Sequence, residues 1–296
     1  MARAIIIAVL FGLVVVAFYA LNDTGLMTFR DYYITGLPVD RYAPDTPAAV
    51  NDKNITFVTY NVLVDAVAPD QRATALFSLM KNSGADVIAI QEMSDWLLAK
   101  LKREDWAKAY YRAGADLDCV GNVILSKFRI LSAACQPLPS RQYRMALYAV
   151  LKTGDRTMEV ATTHMDSALD LGPVRAKQFD VMFDQLAAAQ DAVLLADVNF
   201  GDGEAEEKEI PAAYTDLWKA LKPKEPGYTW NIEKSDMALN GSFIGEHSRR
   251  LDRILVRSGV WKPKDVKVIG DEPLTPGDKD LFPSDHFGLM GSITRQ

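Results

Sequence analysis

What most limits the fold of this chain is a series of short β-branched and aromatic runs, each with an amide, acid or imidazole side chain at or beside its end. The run at 55–60 leads into Asn61, that at 87–90 into Gln91-Glu92, and that at 158–163 into Thr163-His164. The run at 192–195 precedes Asp197-Val198-Asn199, while Arg250-Leu251-Asp252 and Ser284-Asp285-His286 adjoin the runs at 253–256 and 287–293. Apolar runs this short read as buried strands. Further runs lie at 120–125, 130–134, 145–151 and 266–269. Helical spacing is confined to a few places. Leu76, Leu79 and Met80 fall on one face of a segment at 72–81 closed by Gly84. Ser94 is placed to cap a helix running to Leu101, and Pro173 to open one over 173–188. Many strands with few helices imply an α/β fold of two packed, largely antiparallel sheets flanked by helices.

Composition bounds the partners. The chain has 296 residues, 49% of them apolar, and a net charge of −6 with no long basic run. A surface that grips long nucleic acid is usually basic, so any such contact is expected to be local. Residues 4–21 carry no charge and are rich in Ile, Val and Leu. As a helix they nearly cross a hydrocarbon core of about 30 Å, and Arg3 ahead of Asp23 biases the N-terminus to the cytoplasm. A segment at 1–22 is therefore expected to be a single-pass membrane anchor, with a cleaved signal as the alternative and secretion or a periplasmic domain as its result. Residues 23–53, with Pro38, Pro44 and Pro47, read as a tether, and 54–296 as the catalytic domain, held outside the cytoplasm. A hairpin of 120–125 with 130–134 would set Cys119 near Cys135; a disulfide and two buried thiols are both open. The Gly-containing acidic stretch at 201–209 reads as a surface loop.

The polar motifs together supply carboxylates for a hard cation, amides to hold a phosphate and an imidazole, which fits cleavage of a phosphate ester. Histidine is scarce, three in all, and two of them, His164 and His286, sit in motifs. His247 lies in a polar loop and reads as solvent-exposed. So few histidines, with both cysteines away from the acids, argue against zinc held by nitrogen and sulfur.

Taken in order, Tyr60-Asn61, Gln91-Glu92, 121–126 (Gly-Asn-Val-Ile-Leu-Ser), Thr163-His164, Asp197-Val198-Asn199, Arg250-Leu251-Asp252 and Ser284-Asp285-His286 resemble the endonuclease/exonuclease/phosphatase superfamily. The resemblance covers about 240 residues. It implies a four-layered α/β sandwich and one divalent cation, Mg²⁺ or alternatively Mn²⁺. By position, it makes Glu92 the principal metal ligand, with Asp285 and Asn61 joining the shell. Asp197 becomes the carboxylate that activates water, and Asn199 and Asn61 hold the phosphate. His286 contacts the phosphate, with Asp252 holding its ring. His164 either touches a substrate oxygen or is a buried structural histidine. The family's glycine before the aspartate is Ala196 here, which bears on the placement of Asp197.

Two details lean toward the tyrosyl-DNA phosphodiesterase branch of that superfamily. One is Ser167 with Arg175 and Gln178, which there line a trough for a DNA end. The other is Trp230, which either stacks on a base or packs internally. Arg250-Leu251-Asp252-Arg253 stands where inositide phosphatases carry Trp-Cys-Asp-Arg, which lowers that reading. The expectation is a metal-dependent phosphodiesterase, nuclease-like, working on nucleic-acid ends. A membrane-facing phospholipid or sphingomyelin phosphodiesterase is the alternative, and an inactive binding module of the same fold the third. No protein partner is expected.

Overall fold

The computed structural model describes residues 6–10, 13–17, 42–114 and 119–296. Two units divide the chain, Met1–Thr35 and Gly36–Gln296. In the first, β1 (Ile6–Leu10) and β2 (Leu13–Ala17) pair antiparallel, Ile6 opposite Ala17 and Leu10 opposite Leu13. The membrane-crossing helix expected over 4–21 is thus not what these strands show. Their Ile and Val residues are stiff at χ1 and favour extended backbone. Among the described residues no helix is long and apolar enough to cross a membrane.

The second unit holds two six-stranded sheets. The first contains β3 (Asn54–Asn61), β4 (Val87–Gln91), β5 (Tyr111–Ala113), β6 (Val123–Ser126), β13 (Trp261–Ile269) and β14 (Gly288–Arg295), in the order β13-β14-β3-β4-β6-β5. The second contains β7 (Ile130–Pro137), β8 (Met145–Thr153), β9 (Arg156–His164), β10 (Asp191–Asp197), β11 (Thr215–Asp216) and β12 (Asp252–Arg257), in the order β11-β12-β10-β9-β8-β7. Each sheet is antiparallel except at one central pair, β3 with β4 and β9 with β10. Helix α1 (Pro69–Ser83) joins the first parallel pair and α3 (Gly172–Leu186) the second. Helix α2 (Asp95–Leu101) follows β4, with Ser94 Oγ accepting from Leu97 N–H as its cap. Two short helices, α4 (Leu217–Leu221) and α5 (Asp236–Gly241), lie in the long connection before β12.

Side chains alternate across each strand, and here both faces are buried. Phe57, Val87, Ala89 and Ile124 of the first sheet meet Leu147, Val160, Leu195 and Ile254 of the second. Val58, Ile88 and Ile90 turn outward onto Leu76, Met80, Leu97 and Leu101 of α1 and α2. Ala161, Leu194 and Ala196 turn onto Phe179 and Met182 of α3. The result is the four-layered α/β sandwich. Among the described residues, these three cores are built wholly from residues beyond 54, within the second unit.

Three expectations change. Strands β6 and β7 do not form a hairpin; they lie in different sheets, because the chain crosses at residues 127–129 with Phe128 buried in the core between them. Cys119 and Cys135 are nonetheless bonded, Cα to Cα 5.6 Å, so the disulfide ties one sheet to the other rather than bridging a ladder. The tether also ends earlier than residue 54. Tyr42 bridges Arg112, with its ring 4.3 Å from that guanidinium, and Ala48 N–H donates to Ala109. The part at 23–41 lies outside the described residues. The acidic stretch at 201–209 is no plain surface loop, because Glu206 is buried against Arg175 and Asp202 pairs with Arg250 and Arg253.

Candidate active site

Strands aligned in parallel end at the same edge of a sheet, and loops leaving that edge can converge on one place. Asn61 closes β3 and Glu92 follows β4; His164 closes β9 and Asp197 closes β10, in register with each other. Because the two sheets face each other, these ends meet. The Asn61 amide nitrogen donates 3.0 Å to Glu92 Oε1 and 3.0 Å to Asp197 Oδ2, stitching one sheet to the other. His286, just before β14, lies 2.9 Å through Nδ1 from Asp252 Oδ2 on β12. Its Nε2 is 3.7 Å from Asp197 Oδ2, and His164 Nε2 is 3.4 Å from the same oxygen.

Around these groups is a cleft of about 180 Å³ lined by Glu92, His164, Asn199, Asp285 and His286, with Ser167, Arg144 and Phe243 among the other walls. Asp197 and Asp252 are fully buried behind it. Backbone at the site is unusual. Glu92 and Asn199 take φ of 59° and 55°, the left-handed region, which is uncommon for a residue such as Glu. Gly121 makes room for this bend. At φ 75° it approaches Met93 so closely that a Cβ would sit 3.1 Å from the Met93 N and O. Asn122 then fastens that loop by donating to Cys119 and Met145 carbonyls. The Gly121-Asn122 motif therefore supports Glu92 from behind.

The two imidazoles are driven apart electrically. Burial, with the Arg144 charge adding to it against the pull of Asp197, pushes His164 down to about 4. Arg144 donates to its Nδ1 at 3.0 Å, which leaves the ring hydrogen on Nε2, toward Asp197. His286 goes the other way. Burial disfavours its charge, yet Asp197 and the hydrogen-bonded Asp252 outweigh that and raise it well above the ordinary range. One ring is neutral and the other cationic, within reach of the same carboxylate.

Burial works to raise Glu92, but the imidazoles, the Val64 N–H at 3.0 Å and the Asn61 amide together hold it below the usual carboxylate range. Asp285 is raised, by burial first and then by the charge of Glu92. Its Oδ1 accepts from Ser284 Oγ and His286 N–H. Two carboxylates facing one cleft, one of them raised by burial and, to a lesser degree, by the other, suit a hard divalent cation that would relieve both. Asn61 does not fit as a third ligand. Its amide oxygen accepts from Leu63 N–H and its nitrogen faces the carboxylates, so it holds them in place. Asp197, Asp252 and His286 also bring ligand atoms within 4.8 Å of one another. A ring kept protonated by Asp252 is a poor ligand, so the Glu92 and Asp285 side fits better.

Three expected substrate contacts turn inward. Arg175 is buried and saturated, donating to Glu206 Oε1 at 2.9 and 2.6 Å and to the carbonyls of Asp166 and Ala168. It orders the loop after β9 instead of reaching the cleft. Gln178 likewise holds Asp166 at 2.5 Å. Trp230 borders the cleft but is 6% exposed, its ring 4.9 Å from that of His286, so it packs the imidazole and presents no open face to a base. Ser167 does face the cleft and bonds Gln142. His247 is exposed. Sequence reasoning missed Arg144, Phe243, Gly241 and Glu246 in the cleft wall. Of these only Arg144 carried a signal, a lone cation immediately before the apolar run of β8.

Comparison with known proteins places this geometry. Among solved structures, D. rerio TDP2 complexed with single strand DNA product is similar with a TM-score of 0.69 at 21% identity, covering 81% of this chain and 99% of that one. Truncated Caenorhabditis elegans TDP2 gives 0.66 at 20%, covering 81% and 97%. The human Nocturnin catalytic domain with bound sulfate gives 0.61 at 16%, covering 84% and 97%. Identities this low carry the fold. None of the curated proteins compared matches the sequence. The model of the Endonuclease/Exonuclease/phosphatase family, however, matches residues 58–286, from within β3 through His286. The chain belongs to the endonuclease/exonuclease/phosphatase family.

Proposed function

We propose that this protein is a metal-dependent phosphodiesterase that splits its substrate by in-line attack of water. The observation that carries the reading is Asp197 Oδ2, set among the Asn61 amide at 3.0 Å, His164 Nε2 at 3.4 Å and His286 Nε2 at 3.7 Å. A carboxylate so placed can take a proton from water while the cationic His286, held by Asp252, meets charge growing on the phosphoryl oxygens. Asn199 and Asn61 fix the groups about the phosphate. Water's oxygen bonds to phosphorus as its proton passes to Asp197, the bond from phosphorus to one alcohol oxygen breaks, and that oxygen takes a proton from solvent and leaves as the alcohol, Asp197 releasing its proton to solvent in turn. Glu92 and Asp285 would hold the divalent cation, Mg²⁺ or Mn²⁺, which supplies charge neutralisation at the phosphate and the departing oxygen.

Two substrate classes remain in play. Nucleic-acid ends draw support from the similar TDP2 structure with its single-strand DNA product, although Trp230 and Arg175 no longer speak for them. The lipid reading draws on the exposed Tyr143, Leu169 and Ile244 of the loops that carry cleft residues. For location, we propose export and attachment through residues 4–21. The Cys119–Cys135 bond suits an oxidising compartment. An export reporter fused after Arg30 checks this, and activity of a cytoplasmic reporter alone would reverse it.

The chemistry is tested with residues 23–296 on bis-p-nitrophenyl phosphate. Turnover with Mg²⁺ that chelation abolishes is expected. No turnover with any divalent ion would leave the chain a binding module.

A further inference from the structure

Four separate loops that carry or adjoin cleft residues each leave a large apolar side chain in solvent. Val64, 60% exposed, follows β3, and its N–H bonds Glu92. Tyr143, 87% exposed, precedes the cleft-lining Arg144 and is held out at a φ of 59°. Leu169, 42% exposed, lies two residues beyond Ser167. Phe243 and Ile244, 43% and 104% exposed, form the tip beyond α5, and Phe243 itself lines the cleft. Single exposed apolar residues are ordinary, but a set on the loops that supply one polar cleft marks an interaction surface.

Charge selects the partner. Among the described residues of these loops, exposed Asp65 and Asp170 stand beside Val64 and Leu169 against one exposed cation, Arg141, and the half-buried Arg144 inside the cleft, and the chain as a whole carries −6. Glu246 and Arg249 at the tip neutralise each other. A nucleic-acid strand needs several phosphates met by cations, and this rim does not offer them. A zwitterionic headgroup layer asks for apolar side chains that enter it and no net positive charge.

We propose that this rim seats the cleft on a zwitterionic lipid surface, so that the phosphodiester it takes is that of a membrane lipid headgroup. The chemistry rests on the phosphodiesterase reading; the docking does not. Residues 23–296 are sedimented with vesicles of phosphatidylcholine and sphingomyelin, alongside a variant carrying Tyr143→Asn, Leu169→Ser and Ile244→Ser. Asn tolerates the positive φ at 143. The wild type is expected to sediment and to release headgroup phosphate. The variant should partition at least about tenfold more weakly and lose lipid turnover in proportion, with soluble-diester hydrolysis and thermal melting unchanged. Protein left in the supernatant at millimolar lipid overturns the proposal. So does tight binding of a single-stranded oligonucleotide that the triple variant weakens, because the rim would then serve nucleic acid. If the wild type sediments but cleaves no diester at all, the phosphodiesterase reading falls and the docking surface stands.

Discussion

The two parallel strand pairs are built alike and stabilised differently. In each, a strand ends in a site residue, a loop turns into a helix, and the fourth residue of that helix is a buried arginine that gathers the loop's carbonyls. Arg72 of α1 donates to the carbonyls of Val62, Leu63, Asp65 and Val67, and to Pro283 beside the Ser284-Asp285-His286 motif. Arg175 of α3 donates to the carbonyls of Asp166, Ala168 and Leu169, but also to Glu206. The first half thus holds its loop with neutral acceptors, and burial lowers the basicity of Arg72. The second half relies on ion pairs. Arg250 and Arg253, flanking Asp252, are likewise clasped by Asp202 and Asp216. The shared frame places side chains, and what stands at the strand ends decides the chemistry: an amide and a cleft-facing acid from one half, an imidazole and a buried acid from the other.

The sharpest break in the comparison is expected at those strand ends. Asp197→Asn and His286→Ala should each lower turnover by about 10²- to 10⁴-fold with the circular dichroism spectrum unchanged. Near-normal kcat in either variant would remove the assigned roles. Asn61→Ala, which cuts one of the polar contacts between halves, should loosen both carboxylates and reduce kcat by a smaller factor. A change in KM alone would mean that Asn61 only binds substrate.

Next come the two arginines. Arg175→Met leaves Glu206 buried without its partner and should cost about 3–5 kcal/mol in urea unfolding. Adding Glu206→Gln should recover a good part of that loss, since the stranded charge is gone. Arg72→Met strands only carbonyls, at about 1–3 kcal/mol for each one that water cannot reach. No single second substitution can rescue it. Rescue of both, or of neither, would show that the halves are held in the same way. The bond between the sheets ranks below. Cys119→Ser with Cys135→Ala opens a loop with a sequence separation of 16 and should cost about 3 kcal/mol.

Much of this was legible in the sequence wherever the signal is local. The β-branched runs gave β3, β4, β9, β10 and β12, and helical spacing gave α1 and α3, because both faces of each strand and one face of each helix are buried. Asn61, Glu92, His164, Asp197, Asn199, Asp252, Asp285 and His286 do reach one site, since motifs at the ends of aligned strands have little choice of location. Long-range partnerships were not legible. Nothing near Arg175 in sequence announces Glu206, and a composition rich in acid made 201–209 look solvated when it supplies counterions. Trp230 could not be told from a stacking platform, because its packing partner, His286, lies far along the chain. The Cys119–Cys135 pair came together by crossing between sheets, which no ladder register could show. For residues 4–21, length and hydropathy spoke for a helix and β-branching for strands, and the structure follows the latter where it describes them.

The smallest expected effect is one of pH, and it should separate the halves most cleanly. Burial tends to raise Asp202, but hydrogen bonds and charge from Arg250 and Arg253 outweigh it and hold the carboxyl well below the usual range. A carboxylate depressed on folding contributes stability that is fully present above its unfolded pKa, about 4, and lost as pH falls toward the folded value. Acid should therefore loosen the second half first. Amide exchange of β12 ought to quicken between about pH 4 and pH 2, while α1, whose Arg72 clamp uses only carbonyls, keeps its protection until global unfolding. Asp202→Asn should flatten that acid limb and lower stability modestly at neutral pH, because Asp202 is partly exposed and solvent screens it. Equal acid sensitivity of α1 and β12 would mean that the ion pairs around Asp252 add nothing that the carbonyl clamp does not, and the distinction between the halves would be one of geometry alone.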